Sequence, residues 1–393
     1  MQKMHGSKKR SPIFIDFLVL LLYPESMHRS ILIDASHLGV DQPTGVELYV
    51  DSLLPHLFAE LQKHGFTRVH LISTRENPPQ ALPEYVLWQY APAERFWGQR
   101  VITRWVKKLK PDLYFTPSGV PPLFSSVPTI FTAHDLSFYH QKEAYSVLQH
   151  IRLRGLERLA AKNAVALCVP SLFVADELKT HWQIPPEKIF CTPLALPEER
   201  TSKSKKPAFI GEDPFILYMG RIEHKKNLQT LVRAFVPVAD KRNVTLVLAG
   251  KDGVGAVALK STIAQLPLSI QQKISVTGYV LPEEKRWLYE HAELCVVPCP
   301  LEGFGLPVLE GFAAQVPVIC ADAGAAPEVA GSAALLVPAL NHEAWTKSLY
   351  SGLDDRALRK QLRYAGMQRL AKFTWAATAQ ATARTFDQAL RKL

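Results

Sequence analysis

Hydrophobic positions along the chain follow two patterns: short apolar runs, and longer segments with an apolar residue every three or four positions. The short runs predict buried strands, and the longer segments predict amphipathic helices. In the first half of the chain, strands are predicted at Ser30–Asp34, Val69–Ser73, Asp112–Thr116, Pro128–Ala133 and Val165–Val169. Helices are predicted there at Val46–His64, Phe96–Lys108, Ala144–Lys162 and directly after Ser171, a typical N-cap residue.

The same alternation restarts after a polar, proline-bearing segment at 197–214, which is the best candidate for a linker. Strands are then predicted at Phe215–Met219, Val244–Ala249, Lys273–Thr277, Glu293–Val297 and Val316–Ala321. Helices are predicted at Leu228–Ala239, Val257–Leu266, Glu283–His291, Leu306–Ala314 and between Glu343 and Arg391.

The order of these elements predicts an α/β fold with two domains of similar size. Strands separated by single helices form parallel sheets with right-handed crossovers, so each half is predicted to be a doubly wound, Rossmann-like domain. We assign residues 29–196 to the first domain, 197–214 to the linker and 215–374 to the second domain. Ligands of such domains bind at the carboxyl ends of the strands, which are expected to face a shared cleft.

The first 28 residues are predicted to lie outside both domains. Basic residues at positions 8–10 precede an apolar run from Ile13 to Tyr23, which Asp16 interrupts. Those eleven residues are too few to span a bilayer, which takes about twenty. No small-residue cleavage site follows, so a dispensable extension is favoured over a membrane-surface anchor, and secretion is favoured least.

The composition narrows the range of partners and compartments. The chain has 393 residues with 46 Lys and Arg against 36 Asp and Glu, and this positive excess favours anionic partners such as phosphates, nucleic acid or an anionic membrane. The five cysteines are few and lie mostly in apolar runs, which favours a reducing compartment over a disulfide framework. Cys295 and Cys299 lack the spacing of a zinc site and are predicted to be core thiols.

A basic turn lies between the predicted strand Phe215–Met219 and the following helix. Its sequence, Gly-Arg-Ile-Glu-His-Lys-Lys-Asn, spans residues 220–227 and places Arg221 and Lys226 beside a helix N-terminus. Two cations together with helix-terminal N–H groups suit a diphosphate, although a basic surface turn is an equal alternative. Both side chains are expected to face solvent, so their removal is expected to affect folding little.

An acidic, glycine-rich segment follows the predicted strand Glu293–Val297. It runs Glu-Gly-Phe-Gly-Leu-Pro-Val-Leu-Glu from Glu302 to Glu310, and its proline suits the first turn of a helix. Gly303 and Gly305 allow a ligand to approach the backbone amides, and both carboxylates can accept hydrogen bonds from sugar hydroxyls. Glu310 also fits a purely structural role as a carboxylate near a helix N-terminus.

Two further candidate residues lie at strand ends of the first domain. His134 follows the predicted strand Pro128–Ala133 and can donate to a sugar or phosphate oxygen, although in isolation a structural histidine is favoured. Gly45 opens the helix after the first strand and can bring the helix N-terminus to an anion. The loop before Gly45 lacks the Gly-x-Gly-x-x-Gly pattern, which disfavours a nicotinamide cofactor.

The pairing of the basic turn with the acidic segment resembles the retaining glycosyltransferases of family GT4, which have the GT-B fold. The Arg-x4-Lys spacing and the Glu-x7-Glu element are complete, and residues 323–329 look like the family's Gly-Gly-x-Pro-Glu-Val. The resemblance runs from about Ser30 to the C-terminus. The chain departs from the family at Cys299, Gln315 and Ala339, where serine, glycine and an Asp-Pro pair are common.

The resemblance implies catalytic roles for His134, Arg221, Lys226 and Glu302. The two cations would stabilise the leaving diphosphate, while His134 and Glu302 would position the sugar. Glu310 would bind the ribose of the donor, and the backbone amides around Phe304–Leu306 would help to hold the sugar and phosphate. The donor-binding residues implied in this way are Gly45, Arg221, Lys226, Gly303, Phe304, Gly305, Leu306 and Glu310.

The resemblance also implies substrates and partners. The donor would be a nucleotide sugar, with GDP-mannose favoured because the start of the first domain and the segment after His134 resemble mannosyltransferase-like members; a UDP-sugar is the alternative. The acceptor would be a glycan or a lipid-linked glycan. The enzyme would be cytoplasmic, with peripheral contact to the anionic inner face of the cytoplasmic membrane. The last helix, from about Trp375, would cross back to the first domain.

Metal and nucleic acid are not expected as partners. No two aspartates are separated by a single residue, so the chain has no Asp-x-Asp metal clamp, and cations and helix ends are expected to meet the diphosphate charge. No cofactor is expected, and no signature of a nucleic-acid-binding module is present. Two other functions stay open: a nucleotide-sugar 2-epimerase of the same fold, and a non-enzymatic basic protein that binds membrane or nucleic acid through the aromatic and basic residues of 95–108.

Overall fold

A computed structural model of the chain describes residues 28–40, 45–136, 139, 153–198 and 203–392. The proposed extension up to residue 27, the loop 41–44, residues 144–152 of one predicted helix and residues 199–202 of the linker lie outside the described residues.

The first half of the chain contributes seven strands to one sheet. They are β1 (Arg29–Asp34), β2 (Phe66–Ser73), β3 (Val86–Tyr90), β4 (Leu113–Thr116), β5 (Thr129–Thr132), β6 (Ala166–Val169) and β7 (Ile189–Cys191). Their order in the sheet is β3-β2-β1-β4-β5-β6-β7, and β1 pairs in parallel with both β2 and β4. Among the described residues of this half, the α-helices are α1 (Gly45–Lys63), α2 (Thr103–Leu109), α3 (Arg158–Asn163) and α4 (Leu172–Glu177).

The second half of the chain forms a six-stranded parallel sheet. Its strands are β8 (Phe215–Met219), β9 (Thr245–Ala249), β10 (Ile274–Gly278), β11 (Leu294–Val297), β12 (Val318–Ala321) and β13 (Ala334–Val337). Their order is β10-β9-β8-β11-β12-β13, which is the strand order of dinucleotide-binding domains. The first three strands are added toward one edge of the sheet, and the last three, from β11, are added toward the other edge. The helices are α5 (Leu228–Lys241), α6 (Ala256–Ala264), α7 (Leu268–Gln271), α8 (Pro282–His291), α9 (Leu306–Ala313), α10 (Ala326–Ala330), α11 (His342–Asp354), α12 (Arg356–Leu370) and α13 (Trp375–Leu390).

These two sheets confirm the predicted α/β class with parallel, Rossmann-like halves. Three strands were absent from the sequence prediction: β3, β7 and β13, which all lie at sheet edges. An edge strand has one neighbour and keeps part of its surface in solvent, so it lacks the continuous apolar run that identifies a central strand. In β3, for example, only Val86 is fully buried.

The predicted helix Phe96–Lys108 is wrong at its start. Phe96 has a left-handed backbone with φ of 62°, which an α-helix excludes. The helical segment begins with a π-helical turn at Gly98–Ile102 and continues into α2. Gly98 packs so close to the Val120 carbonyl that a Cβ would lie 2.5 Å from its oxygen, which fixes where this segment begins.

The chain divides into two compact units. One holds the described residues of 1–132, 163–166 and 379–393, and the other holds those of 133–162 and 167–378. This grouping differs from the domain boundaries drawn from the sequence, which stay a prediction. Within the first unit the last helix packs against the seven-stranded sheet as expected, because the Phe386 ring lies 6.3 Å from that of Phe66 and 4.8 Å from that of Phe115.

Candidate active site

The charged residues of the basic turn and the acidic segment follow neighbouring strands in the middle of the six-stranded sheet. The turn follows β8 and the segment follows β11, and between these two strands the order of the sheet reverses. At such a point the loops diverge to opposite faces and leave a crevice at the carboxyl edge of the sheet. The topology therefore brings together two motifs separated by about 80 residues in the sequence.

The turn after β8 is shaped by a close approach of two backbone segments. Gly220 and Gly250 have φ of 150° and 148°, and a Cβ on Gly250 would lie 2.0 Å from the Gly220 carbonyl oxygen. Glycine is required there because any side chain would separate the loops. The Tyr218 hydroxyl donates to the Arg221 carbonyl at 2.9 Å and fixes the peptide that follows Arg221.

Arg221 extends from this turn into solvent. Its side chain is 65% exposed, and its Nε lies 3.3 Å from an oxygen of Glu223. A guanidinium held by one neighbouring carboxylate at an exposed position remains able to bind an anion, since it carries five donors. The sequence expectation of a solvent-facing cation is therefore correct for Arg221.

Lys226 does not face solvent, which corrects the sequence expectation for this residue. Its ammonium donates to a carboxylate oxygen of Glu302 at 2.6 Å, and the two side chains are only 15% and 18% exposed. Burial disfavours the charge on Lys226, but the carboxylate of Glu302 outweighs burial and raises the pKa of Lys226. Burial likewise acts against the charge on Glu302, and the ammonium of Lys226 lowers its pKa. Both groups stay ionised at neutral pH.

Asn227 and Cys299 hold the backbone next to this ion pair. Asn227 has a left-handed φ of 55° at the start of α5, and its amide donates to the Ala339 carbonyl at 2.6 Å. The Cys299 thiol donates to the Lys225 carbonyl at 3.2 Å. Burial raises the pKa of the Cys299 thiol to about 12, so the thiol keeps its proton and remains a donor. The core position predicted for Cys299 is confirmed.

The glycines after Glu302 have different structural roles. A Cβ at position 303 would lie 2.5 Å from the carbonyl oxygen of His134, so Gly303 permits a close backbone contact. Gly305 has φ of 104° and turns the chain into α9, with Pro307 in its first turn. The Phe304 side chain is buried and packs edge-on against Phe373 at 5.7 Å, so only its backbone can serve a ligand.

Glu310 lies in α9 with both carboxylate oxygens engaged. The Lys285 ammonium donates to one oxygen at 2.5 Å, and the Tyr289 hydroxyl donates to the other at 2.6 Å. Burial, and secondly the charge of Glu310, raise the pKa of Tyr289 well above its ordinary value, so the phenol remains a donor. Each carboxylate oxygen can accept two hydrogen bonds, so Glu310 keeps acceptor sites for ribose hydroxyls. Sequence reasoning missed Lys285 and Tyr289, whose i, i+4 spacing on α8 was the available signal.

His134 and Asp135 lie in the same compact unit as the ion pair. The His134 side chain is half-buried, and its carbonyl faces Gly303. Asp135 lies 3.9 Å from the ammonium of Lys225, the lysine that precedes the paired one. The structure thus brings the segment after β5 next to both motifs. Gly45 begins α1 in the other compact unit, and the loop before it is outside the described residues.

The six-stranded sheet has the Rossmann-like strand order, and side chains of both charges lie at its switch point, where domains of this class bind their ligands. Residues 199–369 match the family described as glycosyl transferases group 1, and residues 43–200 match glycosyltransferase family 4. The chain belongs to glycosyltransferase family 4, of the GT-B type.

Relatives with assigned names support this membership. The chain is 26% identical over 260 residues to an Escherichia coli O-antigen chain mannosyltransferase B, covering 63% of this chain and 66% of that protein. It is 25% identical over 273 residues to a D-inositol 3-phosphate glycosyltransferase from Corynebacterium diphtheriae, covering 65% and 64%. The chain therefore spans about two thirds of the length of these relatives.

Solved structures show the same fold. A sucrose-phosphate synthase from Thermosynechococcus elongatus superimposes with a TM-score of 0.65 and 20% identity over 93% of this chain and 100% of that one. WaaG, a glycosyltransferase involved in lipopolysaccharide biosynthesis, gives a TM-score of 0.61 and 14% identity, covering 90% and 98%. At these identities the likeness concerns the fold.

Proposed function

We propose that the protein transfers a hexose from a nucleotide sugar to a glycan or lipid-linked glycan, with retention of configuration at the sugar. Lys226 and Glu302 carry this proposal. The ammonium of Lys226 and the carboxylate of Glu302 lie 2.6 Å apart and are largely buried. Together with the exposed Arg221, they supply positive and negative charge at one point of the crevice. Cleavage of a sugar–diphosphate bond needs both signs of charge at adjacent atoms.

Each charged group has a place in this reaction. Departure of the nucleoside diphosphate places negative charge on the leaving phosphate, which Arg221 and Lys226 stabilise. The sugar acquires oxocarbenium-like positive charge, which the carboxylate of Glu302 stabilises. His134 holds the sugar, and Glu310 accepts hydrogen bonds from the ribose with the lone pairs that Lys285 and Tyr289 leave open.

Mannose from GDP-mannose is the favoured donor group. The support is the similarity to relatives named as mannosyltransferases, including the serotype-specific mannosyltransferase WbdA of Escherichia coli at 25% identity over 67% of this chain and 34% of that protein. A UDP-sugar is the second candidate, since Anabaena HepE, solved in complex with UDP-glucose, has the same fold with a TM-score of 0.63.

The donor is tested by thermal shift with GDP, UDP, ADP and dTDP, followed by transfer assays with the matching nucleotide sugars. A diphosphate at a hundred times its Kd should stabilise the protein by about 2.7 kcal/mol. NMR of the first product gives the anomeric configuration. Stabilisation by none of the four would contradict the proposal, and donor turnover without an acceptor would indicate an epimerase.

Chelation of divalent metal is expected to leave most of the activity. The cations of the basic turn supply the charge that a metal supplies to the diphosphate in enzymes with an Asp-x-Asp clamp, which this sequence lacks. The measurement compares initial rates before and after dialysis against EDTA. Complete loss of activity that manganese restores would show that the cations are insufficient.

We further propose peripheral contact with an anionic membrane at the inner face of the cytoplasmic membrane. In the described part of the chain, no helix is long and apolar enough to cross a bilayer. The first unit instead exposes Phe96 and Phe124, at 45% and 79%. The guanidinium groups of Arg95 and Arg100 lie 5.0 and 5.9 Å from the Phe96 ring centre. Exposed rings flanked by cations suit the interface of an anionic bilayer.

The double substitution Arg95→Glu, Arg100→Glu is expected to lower binding to phosphatidylglycerol vesicles at least about tenfold, because each basic residue near the surface contributes about 1 kcal/mol. Sedimentation of the protein with these vesicles at two salt concentrations measures the bound fraction. The control is Lys360→Glu, Arg363→Glu, which changes the same net charge on exposed residues of α12. Equal losses in both variants would mean that net charge alone, and not this surface, sets the binding.

A further inference from the structure

The hydroxyl of Ser171 connects the start of α4 to the loop after Glu302. Ser171 follows β6, is fully buried and caps α4 by accepting a hydrogen bond from the Val174 N–H at 3.2 Å. The same hydroxyl donates to the Gly303 carbonyl oxygen at 2.6 Å. A serine that caps a helix uses only its hydroxyl oxygen, as the acceptor of a backbone N–H. The proton is therefore available to orient the loop.

The bond to Gly303 fixes a peptide plane. In a trans peptide, the carbonyl and the N–H of the next residue point in opposite directions. With its carbonyl turned to Ser171, Gly303 directs the Phe304 N–H away from α4. The preceding peptide is held in the same way, because the Ala325 N–H donates to the Glu302 carbonyl at 3.0 Å.

The amides opposite these two carbonyls are those of Gly303 and Phe304. Within the described residues, neither of these N–H groups donates a hydrogen bond to the protein. A loop that anchors two successive carbonyls and leaves the following amides open presents a pair of donors to a ligand. The Phe304 amide is also one of those expected from the sequence to hold the sugar and phosphate.

Glycine at position 303 makes the external hydrogen bond necessary. The contact with the His134 carbonyl excludes a Cβ, so no other residue fits. Glycine has the weakest backbone preference of all residues, so the orientation of its peptide depends on the contacts that the peptide makes. The hydrogen bond from the Ser171 hydroxyl to the Gly303 carbonyl is such a contact.

Ser171 is itself held in place from the other side. The carboxylate of Glu328, in α10, accepts a hydrogen bond from the Leu172 N–H at 2.8 Å. Arg369 in turn donates to the carbonyls of Glu328 and Val329, so α10 is anchored as well. The start of α4 is thus fixed with respect to the six-stranded sheet by two hydrogen bonds.

We propose that Ser171 is a positioning residue that turns the Phe304 amide toward the sugar-phosphate of the donor. This inference rests on the proposed function, since the amide acts only if a donor lies over the loop. An amide that stabilises developing charge contributes to kcat more than to binding of the free nucleotide. Loss of the Ser171 hydroxyl is therefore expected to lower kcat and to leave the affinity for the nucleoside diphosphate almost unchanged.

The test compares Ser171→Gly with Ser171→Thr. Glycine retains most of the N-cap stability but has no hydroxyl, whereas threonine keeps both the cap and the donor. We expect Ser171→Gly to lower kcat about ten- to a hundredfold, with the Kd of the free diphosphate within about twofold of wild type, and Ser171→Thr to retain most of kcat. The control is Asp355→Gly, which removes the cap of α12 that accepts from the Leu358 N–H at 2.9 Å.

Each result decides between the positioning role and a structural one. The positioning role would be overturned if Ser171→Gly left kcat unchanged. It would also be overturned if Ser171→Thr or Asp355→Gly lowered kcat as much as Ser171→Gly does. A large loss of diphosphate affinity in Ser171→Gly would overturn it too, because the amide would then act in ground-state binding. Failure of the wild-type protein to transfer from any nucleotide sugar would overturn the proposed function, and this inference with it.

Discussion

Lys226→Ala is expected to lower kcat by at least about a hundredfold, because it removes a fixed charge placed against the leaving diphosphate. It is also expected to destabilise the protein by about 3–5 kcal/mol, since Glu302 would remain buried without its counter-charge. Arg221→Ala should show a comparable loss of kcat without the loss of stability, because Arg221 is 65% exposed. Steady-state kinetics and denaturant unfolding measure the two effects.

A second charge change separates the effect on catalysis from the effect on stability. In the double variant Lys226→Met, Glu302→Gln, both charges of the buried pair are absent, so stability should recover in part while activity stays low. The matched control is Lys63→Ala. Lys63 pairs with Glu60 at the same 2.6 Å, but its side chain is 67% exposed, so little stability should be lost. Near-wild-type transfer by Lys226→Ala would remove Lys226 from the proposed mechanism.

The two glutamates of the acidic segment are expected to differ in the kinetic step that they affect. Glu310→Gln should weaken binding of the free nucleoside diphosphate by about 1–3 kcal/mol, because a charged hydrogen bond to the ribose is lost. Glu302→Gln should lower kcat by about a hundredfold and leave the Kd of the diphosphate nearly intact. In the proposed mechanism Glu302 contacts the sugar and not the diphosphate, so its substitution removes no contact to the free nucleotide.

Calorimetric titration of the free diphosphate, together with steady-state kinetics on both variants, measures this difference. Tyr289→Phe serves as a control for Glu310→Gln, because it removes one hydrogen bond to the carboxylate but keeps the charge. Its effect on Kd should be smaller than that of Glu310→Gln. The assignment is reversed if Glu302→Gln loses affinity and Glu310→Gln does not. If neither variant changes Kd or kcat, this segment does not bind the donor.

The sequence correctly predicted the features that depend on a residue's own backbone conformation or on its neighbours along the chain. The central strands β8, β9 and β11 were predicted within one or two residues, because a strand that is buried on both faces must be an uninterrupted apolar run. The glycines of the acidic segment could also be identified locally, because close backbone approach and left-handed conformations favour glycine over other residues. Edge strands such as β13 were missed because one neighbour and partial exposure leave a weaker pattern.

The chemistry of the candidate site could be predicted as a set of residue types. Arginine, lysine and two carboxylates at fixed spacings were enough to indicate diphosphate and sugar recognition. Their surroundings could not be predicted. Lys226 was expected to face solvent like Arg221, because the two lie in the same basic turn of the sequence. Their exposures of 15% and 65% differ because a loop from a different strand covers only one of them.

The sequence by itself determined the α/β class, the central strands and the residues that can meet a diphosphate, because these depend on local periodicity and side-chain chemistry. Only the tertiary structure decided the pairing of Lys226 with Glu302, the two donors on Glu310 and the bond from Ser171 to Gly303. Each of these contacts joins residues from different loops or helices. The order of strands in the sheet sets which loops become neighbours, and burial then determines the free energy of each charge and hydrogen bond.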